Sequence, residues 1–130
     1  MAEAAQIVRL SFERLNADDL EGFLELADPG IELHDVPEIP GSTVYRGHEE
    51  IRRWWATVRE SMDELRFEFG EVTEGGEEFA VATRAIGRGR GSGVEVEWTF
   101  TTVWRVREGL IGYHHGYSDH DDALRAIGAG

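Results

Sequence analysis

The chain contains no cysteine and no lysine, and each absence excludes a type of chemistry. Without cysteine there is no disulfide framework and no thiolate nucleophile. Without lysine there is no Schiff-base mechanism, because that mechanism begins from a side-chain amine. All 13 basic residues are arginine, a bias that we attribute to a GC-rich bacterial genome.

Long apolar runs and an excess of positive charge are also missing. No stretch approaches the ~20 apolar residues that cross a bilayer, and the start, MAEAAQIVRLSFERL, lacks the features of a signal peptide. The net charge of −13 argues against nucleic acid or an anionic membrane as a partner, since binding them requires clustered positive charge. We therefore expect a cytoplasmic protein with no nucleic-acid or membrane partner.

The rest of the composition is typical of a soluble globular protein, with 41% apolar and 30% charged residues. We expect a single domain over residues 1–130, large enough to bury about two thirds of the surface of the unfolded chain. Apolar periodicity predicts helices over 2–16, in the 20s, from 47 to about 62, and over 119–127. Alternation predicts strands over 31–35, 43–46, from 65 to a turn at 74–77, and over 79–86, 94–106 and 110–117. This order of elements indicates an α+β fold with a mainly antiparallel sheet.

The stretch from Ile31 to Trp55 gives the clearest indication of function. Ile31, Leu33 and Asp35 share one face of a predicted strand, so a carboxylate follows two aliphatic side chains. At the rim of an apolar cavity, desolvation would raise the pKa of Asp35 and suit it to act as a base. The alternative is a turn residue ahead of Pro37 that accepts hydrogen bonds from loop amides.

His115 is the second candidate catalytic residue. Strict alternation places it on one face of the last strand with Ile111, Tyr113 and Tyr117. Opposite Asp35, its imidazole could shuttle a proton or orient a ligand carbonyl; a buried histidine bonded to a neighbour is the structural alternative. His114 is expected on the opposite face.

The segment from His114 to Asp122 is rich in metal-ligand residue types. Adjacent strand residues point to opposite faces, so His114 and His115 cannot easily bind one ion. Asp119 is better explained as the N-cap of the last helix. We therefore expect neither a metal nor another cofactor.

Aromatic residues are numerous for a chain of this size, with four tryptophans among 130 residues. They would form core in most small proteins, but they would also form stacking walls around a flat ligand. The candidates are Trp54, Trp55, Phe67, Trp98, Phe100, Trp104, Tyr113 and Tyr117, together with Tyr45 on the short second strand.

Several short motifs, in order along nearly the whole chain, carry a resemblance to a known family. They are Asp28–Asp35, Tyr45-Arg46-Gly47-x-x-x-Ile51, Arg90–Gly93, Val103–Gly109 and Asp122–Gly128. In this order and spacing the chain resembles the SnoaL-like proteins of the nuclear-transport-factor-2-like superfamily. The resemblance implies a cone-shaped fold, in which a curved sheet wraps helices around an internal apolar pocket, and a homodimer formed through the sheet. Members include isomerases, cyclases, dehydratases, epoxide hydrolases and non-catalytic binders, so the fold does not choose among them.

The ketosteroid isomerases of this superfamily match only in part. A gapless comparison brings Asp35 onto their general base, but their oxyanion-hole tyrosine and aspartic acid fall on Ser11 and about Thr102. Without those donors the largest stabilising contribution to catalysis is lost, so a ketosteroid isomerase is not expected. Arg84 is the one arginine that could correspond to the epoxide hydrolases, yet no acid flanks it in register. Asp119 matches the late aspartate of the polyketide cyclases poorly.

Two classes of function follow. One is a cofactor-free acid–base isomerase, cyclase or dehydratase that acts on a hydrophobic polycyclic or terpenoid-like substrate, with Asp35 as base and His115 as partner. The other is a non-catalytic binder of a small apolar ligand. For either, the expected ligand-contacting residues are Tyr45, Trp54, Trp55, Phe67, Arg84, Trp98, Phe100, Thr102, Tyr113 and Tyr117.

Overall fold

The computed structural model describes residues 2–35 and 44–128. Its helices are α1 (Ala2–Asn16), α2 (Leu20–Glu25), α3 (Gly47–Ser61) and α4 (His120–Ala126). Its strands are β1 (Ala27–His34), β2 (Val44–Arg46), β3 (Met62–Gly75), β4 (Glu78–Gly89), β5 (Glu95–Arg107) and β6 (Leu110–Tyr117). The order of elements agrees with the sequence pattern and the α+β class is confirmed. The turn at Pro37, which the alternative role of Asp35 requires, lies outside the described residues.

The six strands form one open, curved sheet in the order β2-β1-β6-β5-β4-β3. All neighbours are antiparallel except β1 and β6, which are parallel. The register of β3 against β4 shifts twice, between Asp63 and Arg66 and between Phe69 and Val72. Such irregularities bend a strand, and they help this sheet to curve around the helices.

The helices α1 and α3 cover the inner face of the sheet. The apolar stripe of α1 buries Val8, Phe12 and Leu15. These side chains belong to the same core as Ile51 and Trp54 of α3. On the outer face, α4 packs its own small cluster, in which Ala123 and Ile127 contact Ala80 and Val103. No helix in the described part of the chain is long and apolar enough to cross a membrane.

Several strand boundaries differ from the prediction: β3 begins at Met62 and not at 65, and β4 extends to Gly89 and not only to 86. Strand β1 begins at Ala27 and not at Ile31, because Ala27 pairs with Ile111 and the irregular pairing extends from there to Glu32. Strand β5 begins at Glu95, and the preceding Val94 is 59% exposed. The predicted N-cap role of Asp119 is confirmed, since its carboxylate accepts hydrogen bonds from the amides of Asp121 and Asp122.

Candidate functional site

A cavity of about 300 Å³ lies between the inner face of the sheet and helices α1 and α3. One end is lined by residues that are themselves partly open to solvent, such as Thr57 and Ser61 on α3. The other end is closed by buried side chains such as Phe23, Leu33 and Trp104. Its remaining walls are formed by Phe12, Leu15, Asp35, Tyr45, Trp54, Val58, Met62, Leu65, Phe67, Trp98, Phe100, Thr102 and His114.

Asp35 follows directly after β1 and lies in the wall of this cavity. The indole Nε1 of Trp54 donates a hydrogen bond of 3.2 Å to its Oδ2 atom. Two structural facts produce this contact: the alternation of β1 directs Leu33 and Asp35 inward, and α3 presents Trp54 from across the pocket. Asp35 is the only carboxylate among the described lining residues, and no arginine lines the cavity with it in that part of the chain.

Several of the predicted ligand-contacting residues line the cavity. The structure brings together Asp35, Tyr45, Trp54, Phe67, Trp98, Phe100 and Thr102. The alternation of β5 explains three of them, because Trp98, Phe100 and Thr102 share the inner face of that strand. Their functional roles stay predictions.

The expectation for the last strand is wrong, and a β-bulge is the reason. Ile111 pairs with Val106, while Tyr113 pairs with the adjacent residue Arg105, so Gly112 is an extra residue on β6. A bulge reverses the alternation beyond it. Ile111 therefore points inward. After Gly112 the alternation is reversed, so Tyr113, His115 and Tyr117 point outward and His114 points inward.

As a consequence, Tyr113, His115 and Tyr117 lie on the outer face of the sheet, away from the cavity. His115 stacks between His34, at a centroid distance of 4.7 Å, and Tyr117, at 4.2 Å. The hydroxyl of Tyr113 lies 2.8 Å from Nδ1 of His115, and Arg105 lies over the tyrosine ring. Burial, followed by the nearby His34, lowers the pKa of His115, and burial raises the pKa of both tyrosines.

Arg84 and Trp55 also lie away from the cavity. Arg84 is on the outer face of β4, where it forms ion pairs with Glu97 and Glu68, and its apolar sequence neighbours Ala82 and Ile86 share that outer face. Trp55 is 5% exposed and donates from Nε1 to Oδ1 of Asp18 at 2.8 Å. Adjacent helix residues are about 100° apart, so Trp54 and Trp55 diverge toward different surroundings.

The bulge brings His114 into the cavity in place of His115. In the sheet, His114 lies beside Leu33 of β1 and Trp104 of β5, and its ring is 4.3 Å from that of Trp104. Burial, assisted by repulsion from His115 and His34, lowers the pKa of His114 from 6.5 to about 3. Its imidazole is therefore neutral near pH 7, and its buried Nδ1 atom has no hydrogen-bond partner in the described part of the protein.

A second polar group in the wall is held by the protein itself. The hydroxyl of Thr102 accepts a hydrogen bond of 2.8 Å from Nε1 of Trp104 and lies 3.2 Å from the hydroxyl of Thr83. Thr83 in turn donates to the carbonyl of Val81 at 2.9 Å. Because this chain already satisfies Thr102, His114 differs from it in having a nitrogen that the protein leaves unsatisfied.

The sequence matches the family model described as a SnoaL-like domain over residues 8–114. The chain belongs to the SnoaL-like domain family. No curated protein matches this SnoaL-like chain.

Solved structures agree in fold with this SnoaL-like domain. An NTF2-like protein of unknown function from Burkholderia pseudomallei superposes with a TM-score of 0.83 at 24% identity, over 99% of this chain and 100% of the other. TerC, co-crystallised with polyporic acid, superposes with a TM-score of 0.81 at 21% identity, over 96% of this chain and 98% of TerC. A Mycobacterium tuberculosis protein in complex with estradiol-17beta-hemisuccinate superposes with a TM-score of 0.76 at 21% identity, over 92% of this chain and 95% of the other.

The family and the cavity together identify this SnoaL-like domain as a small-molecule pocket protein. Sequence reasoning missed several lining residues, among them Thr57, Val58, Ser61 and His114. Thr57, Val58 and Ser61 follow Trp54 at helical spacing and could have been found by that signal. The signal for His114 is Gly112, because an isolated glycine inside a strand pattern suggests a bulge, and a bulge reverses the alternation after it.

Proposed function

We propose that this SnoaL-like protein is a cofactor-free acid–base catalyst of the isomerase, cyclase or dehydratase type, with Asp35 as the base. The observation that carries the proposal is the hydrogen bond from Trp54 to Asp35 in the wall of an apolar cavity. An indole N–H that holds one carboxylate oxygen fixes the orientation of the carboxylate. An oriented carboxylate next to a bound C–H group can accept its proton.

The lining also limits the substrate. Apolar and aromatic side chains dominate, and the volume of about 300 Å³ lies at the small end of the range for ligand pockets. An anionic ligand would be repelled by Asp35 with no lining arginine in the described residues to compensate it. We therefore expect an uncharged, hydrophobic, ring-containing substrate. Two relatives of the same fold, which carry polyporic acid and an estradiol derivative, are compatible with a polycyclic molecule.

A base of this type also requires a hydrogen-bond donor for the enolate oxygen, and the residues that supply it in the ketosteroid isomerases are replaced in this chain. Ser11, at the position of the isomerase tyrosine, is buried and donates to the carbonyl of Val8 at 2.6 Å, so it is already committed. Tyr45 lines the cavity, and its hydroxyl is our candidate for this role. Few other N–H or O–H groups in the described part of the wall could donate to the enolate oxygen. This shortage of donors favours the second candidate function, a binder without catalysis.

Proton exchange separates the two candidates. The probe is 2-tetralone, an uncharged bicyclic ketone with exchangeable C–H groups, incubated in D₂O and followed by NMR. Catalysed exchange that is lost in Asp35→Asn supports the base, and binding without catalysed exchange supports the binder. Asp18→Asn is the matched control, because Asp18 also accepts a hydrogen bond from a tryptophan indole but lies away from the cavity lining.

We also propose a homodimer formed through the outer face of the sheet. Helix α4 already covers Val103 and Ala80 there, which removes part of the surface expected to need a partner. The stacked rings of His34, His115 and Tyr117 supply an aromatic surface beside it. Aromatic residues are enriched at the centres of protein interfaces, and this composition supports the use of the face by a second copy.

A further inference from the structure

The imidazole of His114 has a nitrogen atom, Nδ1, that forms no hydrogen bond with the described part of the protein. The Nδ1 atom is buried and has no partner among the described residues, while the side chain lines the closed end of the cavity. Its neighbours in register, Leu33 and Trp104, are 1% and 2% exposed, so the side chain of His114 lies among buried residues of the cavity wall. Buried polar groups without partners destabilise a fold, and each one in a native protein calls for an explanation.

Packing alone does not explain an imidazole at this position. The described contact of His114 is with the ring of Trp104, at a centroid distance of 4.3 Å, and a phenyl ring could make the same contact. Thr102, the other polar residue deep in the wall, is satisfied by Trp104 and Thr83. No contact described for the protein itself uses the Nδ1 atom of His114.

We propose that His114 is the polar anchor of the pocket, and that its imidazole forms a hydrogen bond with a hydroxyl or carbonyl group that the ligand inserts into the closed end. This inference rests on the proposed function in so far as the cavity is the ligand site. It adds a requirement to the substrate class: an uncharged, largely apolar molecule must carry a neutral polar group at the end that enters first.

The charge state of the anchor fits a neutral polar group. The imidazole is uncharged near pH 7 because burial lowers the pKa of His114. A neutral imidazole has one N–H donor and one nitrogen acceptor, so it can bind either a hydroxyl or a carbonyl. It cannot offset the charge of a carboxylate or phosphate, and Asp35 in the same wall would repel such a group.

The sheet also fixes the separation between the anchor and the proposed base. Leu33 lies opposite His114 in the parallel register, and Asp35 follows Leu33 on the same face two residues later. Two residues of strand correspond to roughly 7 Å and neighbouring strands lie roughly 5 Å apart, so the backbone positions of His114 and Asp35 are roughly 8 Å apart. A fused bicyclic skeleton spans this distance between a polar group at one end and a reacting carbon at the other.

The test compares the binding of two ligands that differ by one hydroxyl group, 6-hydroxy-2-tetralone and 2-tetralone, by titration calorimetry. We expect wild type to bind the hydroxylated ketone about 10-fold more tightly. His114→Phe should reduce that ratio to about 2-fold or less, since it keeps the ring and removes the nitrogens. His115→Phe is the matched control, because it changes the adjacent histidine on the opposite face, and it should keep the wild-type ratio.

A ratio near one in wild type, or an unchanged ratio in His114→Phe, would overturn the anchor.

Melting of the ligand-free proteins at pH 7.5 is a second test. His114→Phe should melt at or above the wild-type temperature if the imidazole serves a ligand, whereas a fall would mean that it serves the fold. These readouts do not involve catalysis. If wild type shows the binding preference but does not catalyse exchange, the proposed base is refuted and the anchor stands.

Discussion

The indole of Trp54 holds the carboxylate of Asp35 through a hydrogen bond of 3.2 Å between Nε1 and Oδ2. The next residue of α3 makes an equivalent contact outside the cavity, from Nε1 of Trp55 to Oδ1 of Asp18 at 2.8 Å. One helix thus carries two tryptophan–carboxylate pairs of similar chemistry. Because only the first pair lines the cavity, the second serves as an internal control for every experiment on the first.

Replacing each tryptophan by phenylalanine should separate orientation from stability. Trp54→Phe removes the donor to Asp35, so we expect proton exchange of 2-tetralone to slow by about 10-fold or more through loss of orientation. Trp55→Phe removes the donor to Asp18, and we expect a loss of about 1–3 kcal/mol in the free energy of unfolding with the exchange rate retained. Exchange kinetics and thermal melts of both variants measure this. Equal exchange rates in the two variants would contradict an orienting role for Trp54.

The low pKa of His114 predicts a specific dependence of stability on pH. In the unfolded chain the imidazole titrates near 6.5, whereas in the folded protein its pKa is about 3. Protons therefore bind preferentially to the unfolded chain, and the stability that is present above pH 6.5 is lost as the pH falls toward 3. The loss amounts to roughly 1.4 kcal/mol per pH unit, or about 3 kcal/mol at pH 4.

The measurement is urea unfolding of wild type and His114→Phe at several pH values between 7 and 4. Other groups titrate over this range, but they are common to both proteins and cancel in the difference. We expect the variant to gain about 3 kcal/mol relative to wild type between pH 7 and pH 4. Parallel pH dependences would show that the folded protein accepts a charged His114.

How much of the fold followed from the sequence can be judged from particular elements. The inward direction of Asp35 followed from the alternation of β1, and the inner face of β5 followed from its own period of two. The helix α1 could be located from the spacing of Val8, Phe12 and Leu15. These features depend on local periodicity, which a single sequence contains.

The site depended on relations that local periodicity does not contain. The orientation of His114 and His115 is set by a bulge at Gly112; a lone glycine in a strand suggests a bulge, but the pairing of β6 with β5 is what establishes it. Arg84 has apolar neighbours along the chain, yet it lies opposite Glu68 in the β3–β4 register on the outer face, where it forms ion pairs with Glu68 and Glu97. Cross-strand pairing decides both cases, and a strand pattern read by itself cannot supply it.

The proposed homodimer predicts a mass in solution near twice the chain mass of 14.6 kDa. Light scattering at micromolar concentration measures it. His115→Asp places a charge on the outer face, where a second copy would bury it, and should shift the protein toward the monomer. The cavity lies on the inner face, so binding of 2-tetralone to this variant should persist. A wild-type mass near 14.6 kDa would refute the dimer.

The rate of proton exchange in Asp35→Asn relative to wild type, at saturating 2-tetralone, tests the central claim most directly. Asparagine keeps an oxygen that can accept the hydrogen bond from Trp54 but cannot act as a base near neutral pH. We expect the rate to fall at least 100-fold, within the range that general-base catalysis contributes, with binding affinity changed by no more than about 3-fold. Asp18→Asn should exchange at the wild-type rate, since asparagine tolerates the positive φ of 56° at that position. An Asp35→Asn protein that exchanges as fast as wild type would contradict the assignment of Asp35 as the base.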